Sequence, residues 1–128
     1  MGSFATYAKN KILDHYTGKA AWTMPTVYVA LFVGDPEGAG VEVSGNGYSR
    51  KQTAAADWNS ASGGATSNAQ ALTFPQATGS WGTVDYFALY DAAEDGNLIG
   101  SGQLSQSKTI GAGDTASFAA GELDVSLT

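Results

Sequence analysis

Thr26-Val27-Tyr28-Val29-Ala30-Leu31-Phe32-Val33 is the stretch that decides the fold of this chain. Its residues are mostly β-branched or aromatic, types that fit a pleated, half-buried surface. Side chains alternate across a strand, so Val27, Val29, Leu31 and Val33 point one way and Tyr28, Ala30 and Phe32 the other. Both sets are apolar. A strand apolar on both faces is covered on both, in the middle of a sandwich or under a helix. Residues 82–90 form the second predicted core strand, with Val84, Tyr86, Ala88 and Tyr90 opposing Phe87 and Leu89.

Around these two strands the chain alternates short strand-like runs with turn signals. Residues 34–40 are a loop rich in Gly, Asp and Pro. Residues 41–43 and 48–55 read as the arms of a hairpin turned by Ser44-Gly45-Asn46-Gly47, since Asn-Gly is a strong hairpin signal. Residues 57–70 hold little core material beyond Trp58 and make an exposed hairpin or loop. Short strands follow at 71–74, 98–104, 108–110 and 115–118, with an acidic turn at 91–97. Residues 122–127 alternate cleanly and so have one wet face. Strands with turns at this spacing indicate a mainly β fold, a single antiparallel β-sandwich or barrel-like domain spanning 1–128.

One helix precedes the sheet. Over residues 3–17, Phe4, Tyr7, Ala8, Ile12 and Tyr16 recur at helical spacing, Ser3 stands where an N-cap belongs, and Gly18 stands at the C-cap. This helix is expected to cover one face of the 26–33 strand, leaving residues 26–128 as the β-sandwich.

Composition narrows the function. The 128 residues include 17 glycines, and only 14% are charged, against about 25% in an ordinary soluble domain. The net charge is −6, which argues against docking on a phosphate backbone or an anionic membrane, both of which need clustered cations. No apolar run is long enough to span a bilayer. The charge is unevenly placed. Residues 1–25 carry Lys9, Lys11 and Lys19 against Asp14, while the remainder carries Arg50, Lys51 and Lys108 against eleven carboxylates. A basic segment on an acidic body suggests a docking role, and Lys9 and Lys11 are its candidate interface residues.

Catalytic chemistry finds few reagents. With no cysteine, thiolate nucleophiles and thiolate metal sites are excluded. His15 is the lone histidine, too few for a zinc site, and no nucleophile-elbow motif accompanies it. The carboxylates Asp35, Glu37 and Glu42, then Asp91, Glu94 and Asp95, lack the alternate spacing of a calcium loop and read as solvated turn acids. The glycine-rich stretches lead into strands, not helices, so they are turns and not phosphate cradles. No enzyme, cofactor or metal is expected. Among the tryptophans, Trp81 caps an edge of the core, whereas Trp22 and Trp58, near strand ends and loops, are candidate protein-interface anchors.

Several runs, taken in order, resemble small bacteriophage virion proteins of the tail-fibre-like and head-decoration (cement) kind. They are residues 28–36 (Tyr-Val-Ala-Leu-Phe-Val-Gly-Asp-Pro), 42–50 (Glu-Val-Ser-Gly-Asn-Gly-Tyr-Ser-Arg), 73–83 (Thr-Phe-Pro-Gln-Ala-Thr-Gly-Ser-Trp-Gly-Thr), 91–104, and the ending Gly113-Asp114-Thr115 with 121–127. The resemblance spans nearly the whole chain. It implies a non-enzymatic virion component, made in the host cytoplasm, with no catalytic residue to carry over. No stalk, heptad or repeated β pattern is present. A compact domain with one helical arm therefore suits capsid decoration, bound to the major capsid protein or other virion proteins, with a trimer favoured by symmetry. The alternative is a tail, collar or fibre-associated host-binding module, in one version carbohydrate-directed.

Overall fold

In the computed structural model, which describes residues 2–127, the two core strands lie side by side as expected. β2 (Tyr28–Val33) and β7 (Gly82–Tyr90) pair antiparallel from Tyr28↔Tyr90 to Phe32↔Tyr86. On the far side of β7 runs β8 (Leu98–Ile110), followed in the sheet by β1 (Gly2–Phe4), β10 (Asp124–Ser126) and β5 (Ala65–Ser67). The other edge of β2 carries both β3 (Val41–Glu42) and β4 (Lys51–Gln52). A second, two-stranded sheet of β6 (Leu72–Thr73) and β9 (Ser117–Phe118) packs under the first. The fold is mainly β and largely antiparallel; the eight-stranded sheet stays open and does not close into a barrel. Met1 and Thr128, which the expected domain includes, lie outside the described residues.

The apolar alternation of β2 is realised on both faces. Val29 and Leu31 enter the main core with Leu72, Phe74, Phe87 and Leu123. Ala30 and Phe32 join Ala88 on the opposite face, where the Phe32 and Tyr90 rings stack at 6.2 Å. Val84 departs from the expected alternation. It lies in the main core with Phe87 and Leu89, because the pairing shifts between Val84 and Tyr86. Val84 faces Lys108 while Tyr86 faces Gln103, so residues 104–107 bulge out and the strands expected at 98–104 and 108–110 become one.

The N-terminus departs most from expectation. Residues 2–4 are a strand, and the helix α1 spans only Thr6–Tyr16. Ser3 caps nothing; Ala5 occupies the N-cap position without a side-chain hydrogen bond. The physical reason is the ladder available on each side. β1 pairs antiparallel with β8 and parallel with β10, and Ala5 N–H extends the ladder to Ile99 O at 2.7 Å. A capping bond contributes about 1 kcal/mol, less than two ladders satisfying a buried backbone. Glycine makes the insertion possible: a Cβ on Gly2 would sit 2.5 Å from Phe87 Cζ. The C-terminal signal holds. Gly18 takes φ of 79°, and Gly18 and Lys19 N–H donate to His15 O and Asp14 O in a Schellman arrangement. The helix covers little of the sheet, burying only Ala8.

The expected 41–55 hairpin is also replaced. β3 and β4 run the same way along β2, and residues 43–50 loop out between them. Gly45, Asn46 and Gly47 all have positive φ, so the Asn-Gly signal marks a turn, but one that leaves and rejoins a single edge. Residues 58–68 do form a hairpin, bridged at Trp58↔Asn68 and Ser62↔Ala65.

Candidate functional site

The densest polar cluster lies on the β3–β4 edge. Arg50 grips Glu42 with two bonds of 2.8 Å, from Nε to Oε2 and from Nη2 to Oε1. Its Nη1 donates to Ala92 O and Asp95 O, both at 2.8 Å, and the guanidinium lies 3.9 Å from the Tyr90 ring centroid. Tyr48 O–H donates to Glu42 Oε2 at 2.6 Å and accepts Leu31 N–H at 3.1 Å. That hydroxyl takes the partner role an unbroken edge strand would have played for Leu31. The missing ladder between β3 and β4 is thus repaired by a side chain.

The electrostatics follow from this geometry. Burial pulls the Glu42 carboxyl upward, but the hydrogen bonds from Arg50 and Tyr48 and the Arg50 charge outweigh it, leaving the carboxyl below its ordinary value. Burial first, and then the bond to Glu42, push the Tyr48 phenol up. The bond to Glu42 raises Arg50 further. Burial also raises Tyr90. Burial likewise works against the Asp91 carboxylate, yet the Asn97 backbone and side-chain amides outweigh it and lower Asp91. Every strong group here is engaged by another. Glu42 is a bound counter-ion, Tyr48 a held donor, and Arg50 a clamp that fixes the 91–97 turn to the sheet edge.

His15 Nδ1 accepts Trp22 N–H at 3.0 Å, tying the return segment to the helix. Among the described residues no group of three or more His, Cys, Asp or Glu is placed to hold a metal ion. A groove of about 250 Å³ opens beside the β8 bulge, floored by Val84, Phe87 and Phe118 and rimmed by Gln106, Lys108 and Glu122.

The four residues singled out from sequence fall in two places. Lys9 and Lys11 are exposed on α1, Lys11 lying 5.6 Å from the Tyr7 ring. Trp22 is half-buried, edge-on to Tyr7 at 6.4 Å, so these three share the helical arm. Trp58 is far along the chain in the 58–68 hairpin, its Nε1–H donating to Thr53 Oγ1 at 3.0 Å and its ring against the core. Trp81 caps the core edge as expected, with Nε1–H on Asn46 O at 2.9 Å. Sequence reasoning did not single out Leu13 and Met24, and it assigned Tyr16 to the buried stripe. All three stand open on the arm, at 61%, 89% and 88% exposure. The available signal was the short helix, whose stripe is too sparse to bury along its full length.

The polar cluster on the β3–β4 edge is closed on itself, while Leu13, Tyr16 and Met24 stand exposed on the helical arm. The chain matches the family model described as podophage GP4 fiber I protein gp80 over residues 3–126, and it belongs to that family. No curated protein matches it. Family membership makes it a small phage virion structural protein, in keeping with the resemblance in its sequence.

Proposed function

We propose that this chain is a fibre component of a podophage virion, working through protein contacts and carrying out no catalysis of its own. The observation that carries the reading is the match of residues 3–126 to a fibre-protein family. The exposed Leu13, Tyr16 and Met24 of the arm support it, because aromatic and long apolar side chains left open to solvent are the kind that anchor protein contacts. The engaged state of Glu42, Tyr48 and Arg50 supports the non-catalytic part. The sequence-based preference for capsid decoration rested on the lack of a stalk, and a compact fibre domain accounts equally for that lack. The virion proteins that receive the arm, host-cytoplasmic synthesis, and any host glycan bound by the particle belong to the same proposal.

The test is the position of a tagged copy in images of the intact particle, together with the phenotype of its deletion. Label on fibres, with adsorption lost and particle melting unchanged, is the expected result. Label spread over the head, with a lowered particle melting temperature, replaces the fibre reading with capsid decoration.

A further inference from the structure

The register of the central strands gives the sheet two distinct ends. At one end Tyr90 faces Tyr28 and Leu98, and Phe4 faces Gly100. Both roots of the helical arm attach here, through Ala5 N–H on Ile99 O and Thr53 N–H on Val27 O. At the other end Gly82 faces Ile110 and Val33 faces Val41, and Asp85 Oδ1 accepts Gly34 N–H at 2.8 Å. A nine-residue β7 puts roughly 27 Å between the ends.

The two ends are complementary. The arm exposes Leu13, Tyr16 and Met24 and carries the exposed Lys9 and Lys19, neither of which forms an ion pair among the described residues. The opposite end exposes Val33 and Val41, at 43% and 68%. The loop joining these valines carries the exposed Asp35 and Glu37, and the exposed Asp114 lies in the turn after Ile110 at the same end of the sheet. Opposite charges soften the contrast at each end: the arm carries Lys9, Lys11 and Lys19 against the exposed Asp14, and Lys108 lies at the valine end opposite Val84. Five of the six exposed large apolar side chains among the described residues thus lie at the two ends, Leu13, Tyr16 and Met24 on the basic arm and Val33 and Val41 flanking the acidic 34–40 loop.

We infer that the arm of one copy docks on the Val33–Val41 end of a second copy, apolar patch on apolar patch with lysines against carboxylates. The contact is heterologous, so copies add head to tail, closing into a ring or extending as a stack according to the rotation at each step. This inference rests on the fibre reading for its setting and names the partner of the arm. The patches are small, so each contact is weak and depends on concentration and salt.

Sedimentation equilibrium of the purified full chain tests it. Association that grows with concentration in low salt and weakens as salt is added is expected. Tyr16→Ala should raise the dissociation constant by about tenfold, as loss of an aromatic anchor does. Lys9→Glu with Lys19→Glu should raise it by about tenfold, through like charges meeting across the contact. Mixing that variant with Glu37→Lys should restore association that neither shows alone; Asp35 is left in place because its carboxylate holds Glu37 N–H. Far-UV circular dichroism verifies that each variant is folded. A wild-type chain that stays monomeric at the highest concentration reached, or association indifferent to all these changes, overturns the inference. The fibre reading is judged separately by virion imaging, so a monomeric chain found on fibres fails the docking inference alone.

Discussion

The β3–β4 edge and the helical arm handle the same materials in opposite ways. At the edge, Arg50 is enclosed by Glu42, two backbone carbonyls and the Tyr90 ring, and its side chain is only 6% exposed. On the arm, Lys9, Lys11 and Lys19 stand in solvent beside Leu13, Tyr16 and Met24. A guanidinium offers five donors in a rigid fork and suits a closed knot, whereas an ammonium on a flexible stem stays hydrated and available. The edge therefore contributes to the stability of the fold, and the arm contributes surface. Substitutions at the two sites should separate these roles.

The largest effect is expected from Arg50→Ala, which leaves Glu42 half-buried without its partner and releases the 91–97 turn. Chemical denaturation should show a loss of about 3 kcal/mol. Tyr48→Phe removes one hydroxyl that serves both Leu31 N–H and Glu42, and a loss of about 2 kcal/mol is expected by the same measurement. A loss within 0.5 kcal/mol for either would mean that the edge is not held by this knot.

Acid titration sharpens the contrast next. The folded Glu42 and Asp91 carboxyls lie below their ordinary values, so the stability they contribute is present above the ordinary carboxylate range and is lost as pH falls through the folded values. Glu42→Gln should flatten the acid limb of a plot of melting temperature against pH. Smallest of all is the expected effect of Leu13→Ala, Tyr16→Ala or Met24→Ala on folding, within about 0.5 kcal/mol each, since exposed side chains away from a packed site change stability little. A larger loss would show that the arm is part of the fold's support.

The differences between sequence and structure have one source. The β2 and β7 strands were legible because both faces of each are written locally, in alternating apolar side chains. The Schellman end of α1 was legible for the same reason, since Gly18 acts within one turn of chain. Ser3, by contrast, is a good local cap that loses to β8 and β10, strands from the other end of the chain. The Asn-Gly turn was read correctly as a turn and wrongly as the tip of a hairpin, because Tyr48 redirects the chain to a shared edge on β2. Lys9, Lys11 and Trp22 were legible as a basic arm with an aromatic. The Arg50 knot was not, because it joins three separate segments, around residues 42, 50 and 90–95.

By itself the sequence determined a mainly β chain with two apolar core strands, a short basic helix ended by Gly18, and an acidic body. Those properties follow from residue type and spacing, which act over a few residues. Only the tertiary structure decided that residues 2–4 are an inserted strand, that β3 and β4 share one edge, and that the large exposed apolar side chains gather at opposite ends of the sheet. Each of these depends on pairings between residues distant in the chain, and long-range ladders and packing outweigh a local preference of about 1 kcal/mol.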